Sequence, residues 1–269
     1  MRITLGIAAA AATLMLLPAA PAAAQDRDWS WSGTVESGRT LFVRNLNGPV
    51  RVEPSTGSTV EVTAVKRSRR GGNPDDVKIT VEQRSKGSDA VICAVWNDRT
   101  ECDEGGYRTR SENRWWNWGD NDRGSVSVEF TVRVPKGVRI TTSTVNGGVE
   151  IEGAESEVDA KTVNGSIRAR SSGGPVRAKT VNGSLDIRTG ALGTGPVEYE
   201  TVNGQITLEI PDNSSANVEL KTVNGGISTD FPLTVEGKFS NRRVRGSIGK
   251  GGQLIRLTTV NGSIRLRKA

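Results

Sequence analysis

Along most of this chain apolar and polar residues alternate one for one. Val126, Val128, Phe130, Val132 and Val134 keep to one side of a segment that starts at Ser125 and stops at Pro135. Successive side chains of a strand point to opposite faces, so this alternation predicts strands with one buried and one solvated face. Strands are expected on the same grounds around Leu41–Arg44, Val60–Val65, Val77–Val81 and Ala90–Val95. From residue 140 onward the alternation becomes periodic. Ile140, Val158, Val176, Val197, Val218 and Ile255 recur, each followed two positions later by Thr142, Ala160, Ala178, Tyr199, Leu220 or Leu257. A second apolar set runs Val149, Ile167, Leu185, Ile206, Ile227 and Ile264. Charged residues such as Lys161, Arg168, Lys179, Asp186 and Glu200 fill the positions between. No window of comparable length has helical spacing.

Between the two apolar sets stands Thr-Val-Asn-Gly, six times, with its Thr at 144, 162, 180, 201, 222 and 259. The steps are 18, 18, 21, 21 and 37 residues; a degenerate copy around Val244–Ile248 is expected to fill the double step. A diverged copy, Asn45-Leu46-Asn47-Gly48, lies far upstream. Two all-β architectures fit. Asn-Gly between alternating strands is the sequence of a tight hairpin, which makes an antiparallel hairpin array the alternative. The other is a single-chain β-solenoid of 18–21-residue coils, with Asn-Gly at a corner and successive coils stacked about 4.8 Å apart. A hairpin needs complementarity only within itself. Stacking explains why the same four residues recur, because identical residues above one another form ladders. The solenoid is therefore the expected fold. Its corner residues are Asn146, Gly147, Asn164, Gly165, Asn182, Gly183, Asn203, Gly204, Asn224, Gly225, Asn261 and Gly262, with glycine expected to relieve a strained turn. The differing steps place loops such as Gly190–Gly195 and Pro211–Ala216 at one edge.

The first 24 residues do not belong to this pattern. Arg2, an apolar run from Ile3 to Leu17, Pro18 and the small residues ending at Ala24 read as a signal peptide cleaved after Ala24. The run is shorter than the roughly 20 residues that span a bilayer, and no later run is long enough. Residues 25–36 read as an N-terminal linker and 37–269 as the solenoid. Cleavage removes Arg2, taking the formal charge from +6 to +5, and leaves no Met. So small an excess, spread along strands, does not point to nucleic acid. The basic cluster Lys66–Arg70 reads as a solvated loop. In an oxidising compartment Cys93 and Cys102 are expected to form a disulfide.

Candidate chemistry is sparse. The chain has no His, which excludes imidazole bases, His-ligated zinc and His-dependent nucleophiles. Asp120–Gly124 lacks the remaining ligands of a calcium loop, so no metal or other cofactor is expected. Asn164, Asn182, Asn213 and Asn261 begin Asn-x-Ser sequons, three of them inside the corner motif. Glu150, Glu152 and Glu155 are the carboxylates that polysaccharide cleavage would need, but acids on outward strand positions are expected anyway. A polar insertion at about 97–124 holds Tyr107, Arg114, Trp115, Trp116 and Trp118. Exposed Trp stacks on sugars or anchors interfaces, so these five are the candidate ligand-binding residues; packing over an open solenoid edge is the competing role.

Asn-x-Asn-Gly-x-Val-x-Val near residue 45, the strand ending at Pro135-Lys136-Gly137-Val138, and the repeated Val-Asn-Gly-x-Ile units resemble the DUF4097 family of bacterial β-solenoids, which carries an adhesin label. The resemblance covers about residues 35–269. It implies a right-handed β-solenoid of the cell envelope without catalytic residues. The reading is thus an exported, non-enzymatic periplasmic, envelope or secreted protein that binds a cell-surface glycan or envelope protein. Its oligomeric state is not read from the sequence. A regulatory or structural partner in an envelope stress system is the alternative, and a polysaccharide-acting enzyme the third reading.

Overall fold

The computed structural model describes residues 27–68, 72–97, 99–109, 126–235 and 242–269. The alternating segments are strands. β1 is Arg27–Gly33, β2 Thr40–Arg44, β3 Val50–Pro54, β4 Val60–Ser68, β5 Lys78–Gln83 and β6 Ala90–Val95. β7 (Thr100–Asp103) and β8 (Gly106–Thr109) form a hairpin, and β9 is Val126–Val134. Then come β10 Arg139–Ser143, β11 Val149–Ala154, β12 Val158–Lys161, β13 Ile167–Ser171, β14 Val176–Lys179 and β15 Leu185–Thr189. β16 is Val197–Glu200, β17 Ile206–Ile210, β18 Ala216–Lys221 and β19 Ile227–Thr229. β20 (Thr234–Val235), β21 (Arg243–Ile248), β22 (Leu254–Thr258) and β23 (Ile264–Lys268) complete the chain. Among the described residues the one helical turn is Pro74–Asp76, capped by the Asn73 side chain.

Each repeat contributes one strand to each of two large sheets. Sheet 1 runs β1-β4-β9-β3-β11-β13-β15-β17-β23-β19, and sheet 2 runs β20-β21-β18-β22-β16-β14-β12-β10-β2-β6-β5. Successive repeats pair in parallel and in register: Ile140 with Val158, Val158 with Val176, Val149 with Ile167, Ile167 with Leu185. This is a solenoid. The hairpin array is excluded, because the two strands flanking each Asn-Gly lie in different sheets. The apolar sets face inward, and Val158, Ile167, Ile187, Ile206, Leu257 and Ile264 share one buried core. Each such side chain contributes about 1.5–3 kcal/mol relative to exposure. The loops after β15 and β17 lie at the edge opposite the corners.

Three features depart from the sequence-based expectation. The stretch expected as a linker, 25–36, contains β1, antiparallel to β4, with Trp29 and Trp31 packed against the core. The expected degenerate coil at Val244–Ile248 is not a coil: β21 runs antiparallel to β18 and, with β20, covers the end of sheet 2. Nor do the coils stack in chain order. The last coil, β22–β23, lies between β16–β17 and β18–β19. At the other end, β2–β3 pairs with β10–β11 on one side and with β6 and β9 on the other. Antiparallel β5 and β4 cover that end, with β1 outside β4. The predicted signal peptide lies outside the described residues.

Candidate functional site

Three residues of the motif are consumed in holding the corner edge together. Each threonine donates its hydroxyl to the corner-glycine carbonyl of the neighbouring coil. Thr144 reaches Gly48, Thr162 Gly147, Thr180 Gly165, Thr201 Gly183, Thr259 Gly204 and Thr222 Gly262, at 2.8–3.0 Å. Five of the six asparagines pass one amide hydrogen bond down the stack. Asn224 donates to Asn261, Asn261 to Asn203, Asn203 to Asn182, Asn182 to Asn164 and Asn164 to Asn146, at 2.8–2.9 Å. The glycines are required by proximity. A Cβ on Gly147, Gly165, Gly183, Gly204, Gly225 or Gly262 would sit 1.9–2.1 Å from a carbonyl oxygen of the next coil. This replaces the strained-turn explanation, since Gly165 and Gly204 have no left-handed backbone.

The motif's valine is left over. Val163, Val181, Val202, Val260 and Val223 form an exposed column, each 37–46% accessible. Sequence alternation hid this column, because a valine next to an inward threonine reads simply as a strand former. Beside it, the positions after the corner glycines open a groove of about 380 Å³ on the outer face of sheet 1. Ser166 and Ser184 line it, with Arg51, Glu150, Arg168 and Asp186. Its charges are paired: Arg51 with Glu150 at 2.9 Å and Arg168 with Asp186 at 3.4 Å.

The cystine hairpin makes a second, different surface. Between β6 and β9 the chain leaves the stack, and β7–β8 folds back over the outer face of sheet 2. The Cys93–Cys102 disulfide holds it there. Val91, Cys93, Val95 and Cys102 form a small private core, flanked by Phe42 and Tyr107. The Tyr107 hydroxyl donates to the Ala94 carbonyl at 2.7 Å. Burial pushes that phenol well above its ordinary 10.0, and the nearby Arg44 charge partly opposes the shift. Arg44 is itself buried, stacked 5.4 Å over the Phe42 ring, and donates to Ser143 and to the Glu104 carbonyl. Its burial lowers its affinity for a proton, against the favourable field of Asp159. Tyr107 thus sits against this small core with its hydroxyl bonded inside the chain. Arg114, Trp115, Trp116 and Trp118 lie outside the described residues.

Of the remaining candidates, Glu152 and Glu155 line one small pocket with Glu53, whereas Glu150 lies apart in the sheet 1 groove. Glu150 pairs with Arg51 and Glu155 with Lys136, while Glu152 is exposed. Asn164, Asn182 and Asn261 spend their amides in the ladder, and Asn213 is exposed on a loop. Among the described residues no three His, Cys, Asp or Glu side chains are grouped to hold a metal.

No curated protein matches this chain. Among solved structures, it is similar to a putative cell adhesion protein from Clostridium sporogenes ATCC 15579, at 12% identity and a TM-score of 0.48, covering 90% of this chain and 100% of that one. A putative adhesin from Bacteroides fragilis NCTC 9343 follows at 10% identity and a TM-score of 0.28, covering 91% and 99%. One from Parabacteroides distasonis ATCC 8503 has 12% identity and a TM-score of 0.26, covering 90% and 98%. The model of the Toastrack DUF4097 family matches residues 107–267, from the cystine hairpin to β23. With more than half its length so matched, the chain belongs to the Toastrack DUF4097 family.

Proposed function

We propose that this protein is an exported, non-catalytic solenoid that binds an envelope or cell-surface partner, in the manner of an adhesin, along its corner edge. The observation that carries this reading is the valine column. Thr, Asn and Gly of the motif are each accounted for by the neighbouring coil, whereas the valines meet solvent at 37–46% accessibility. A contiguous apolar column rimmed by amides and hydroxyls is the composition of a contact surface. The adjoining groove sets serine hydroxyls and neutralised charge pairs beside a larger apolar lining that includes Pro49, Val149 and Ile167, which suits an uncharged partner with both apolar and hydroxyl faces, such as a glycan. The separate engagement of Glu150 and Glu155 agrees with a role in binding. Trp115, Trp116, Trp118 and Arg114 are proposed as a second contact.

The test compares the chain from residue 25 onward with its Val163→Thr/Val181→Thr/Val202→Thr variant on intact cells and a glycan array. Threonine keeps the branched shape and removes the apolar surface. The expected result is lost binding at an unchanged melting temperature. Binding retained in full would remove the corner edge from the function, and a Trp115→Ala/Trp116→Ala/Trp118→Ala variant would then decide for the insertion.

A further inference from the structure

The intercalated last coil has a consequence for assembly. β22–β23 occupies a slot whose walls are β16–β17 and β18–β19. The walls would fit each other without it. Val197, Ile255 and Val218 stand in one row, and Ile206, Ile264 and Ile227 in another. Removing the middle member brings together residues 21 apart, the same step that joins Ala178 to Tyr199 and Leu185 to Ile206. Asn224 could then donate to Asn203 in place of Asn261, and Thr222 to the Gly204 carbonyl in place of Gly262. The ladder is a contact between identical motifs, so its rungs alone do not distinguish the intercalated coil from any other coil of this repeat.

Two features govern the exchange. The coil hangs from the stretch after Ile248, where Gly249, Gly251 and Gly252 have φ of 57°, 72° and 134°. These left-handed glycines make a hinge that a rearranged chain can re-bend at little cost. Against expulsion stands one charge row: Arg256 lies between Glu198 and Glu219, 2.8 Å from the first and 3.3 Å from the second. Direct closure would set Glu198 opposite Glu219, an unfavourable like-charge pair on one sheet face. The slot is thus biased towards being filled by a coil that carries an arginine at that row.

We propose that the coil of residues 254–268 is exchangeable and that the slot of one copy takes up this coil from a second copy of the chain. Coil exchange joins copies through contacts already present in the single chain, which is the economy of domain swapping. The partner is another molecule of this protein, and the interface is the full pair of ladders on either side of β22–β23.

The test uses full-length single variants. Thr207 and Arg265 are cross-strand partners on β17 and β23, on the solvent side of sheet 1. Thr207→Cys and Arg265→Cys chains are mixed, incubated with gentle warming and mildly oxidised, then separated on a non-reducing gel. The expected result is a covalent dimer that neither variant yields alone. The double variant Thr207→Cys/Arg265→Cys, oxidised before mixing, is expected to close within one chain and to lose the ability to form dimers. Absence of the mixed dimer while the double variant closes internally would overturn the exchange. Failure of the double variant to close internally would overturn the intercalated register on which it rests.

Discussion

The corner after β12 and the corner after β6 turn the chain between the same two sheets by opposite means. At Thr162–Gly165 the turn is held by its neighbours: Thr162 bonds the coil on one side, Asn164 bonds both, and Gly165 lets the backbones approach. None of those residues needs a partner of its own elsewhere. After β6 the motif is absent. The chain instead makes a detour through β7–β8, pinned by Cys93–Cys102 and a private core around Phe42 and Tyr107. The first coil mediates between them. Asn45 and Asn47 turn their amides to the carbonyls of Val128 and Val126 on β9. Repetition thus supplies cohesion only where the neighbour is also a repeat. At the boundary, covalent and specific side-chain contacts take over.

This contrast is open to direct attack, beginning with backbone approach. Gly165→Ala puts a methyl 2.0 Å from the Gly147 carbonyl, so a loss of about 3 kcal/mol or more is expected in urea unfolding. Gly226→Ala, with nothing within 4 Å, is expected to stay within about 0.5 kcal/mol of the parent; equal losses would refute the proximity account. Next in size is the covalent corner. Cys93→Ala/Cys102→Ala opens a loop between residues nine apart and is expected to cost about 2–3 kcal/mol in the chain-entropy view. Hydrogen exchange should rise first in β7 and β8, leaving the amides of β12–β15 protected.

Thr180→Val keeps the shape and removes the bond to the Gly165 carbonyl. A loss of about 1–2 kcal/mol in melting experiments is expected, because the acceptor stays buried. Tyr199 runs the other way. It is fully buried in the stack and its hydroxyl has no partner among the described residues, so Tyr199→Phe should stabilise by about 1 kcal/mol. A destabilised Phe variant would reveal an unseen partner. The smallest effect is electrostatic. Arg245 and then Arg256 hold the Glu219 carboxylate below its ordinary 4.5 by hydrogen bonding. Its contribution is complete above the unfolded value and is lost as pH falls through the lower folded value. Glu219→Gln should therefore cost up to about 1 kcal/mol at neutral pH and nothing once the carboxylate is protonated. A difference that persists into acid would assign the effect to packing.

The period-two alternation made the strands legible, and the inward rows such as Ile140, Val158 and Val176 follow from it directly. Recurrence of the motif made the parallel stack legible too. Coil order was not, and the reason is physical: a ladder rung reads only the motif beside it, so Asn203 accepts Asn261 as readily as Asn224. Val244–Ile248 has the alternation of a coil strand, and alternation carries no strand direction. Arg44 reads as a solvated charge until β7–β8 covers it, which depends on a contact with Glu104 sixty residues away. Trp29 and Trp31 alternate with serines, a strand signal obscured by their closeness to the predicted signal peptide. Of the candidate binding surface, the motif was visible, but the outward turn of its valine required the coil's own geometry.

The position of β22–β23 also governs how the stack responds to load. In a coil stack pulled from its last residue, an end coil would peel away by breaking one set of ladder bonds, then the next, each at low force. Here traction on Lys268 meets a coil gripped on both sides, by β17 and β19 in one sheet and by β16 and β18 in the other. Both ladders must yield together before anything lengthens. The last coil therefore acts as a wedge, and the force it resists is set by two interfaces in parallel.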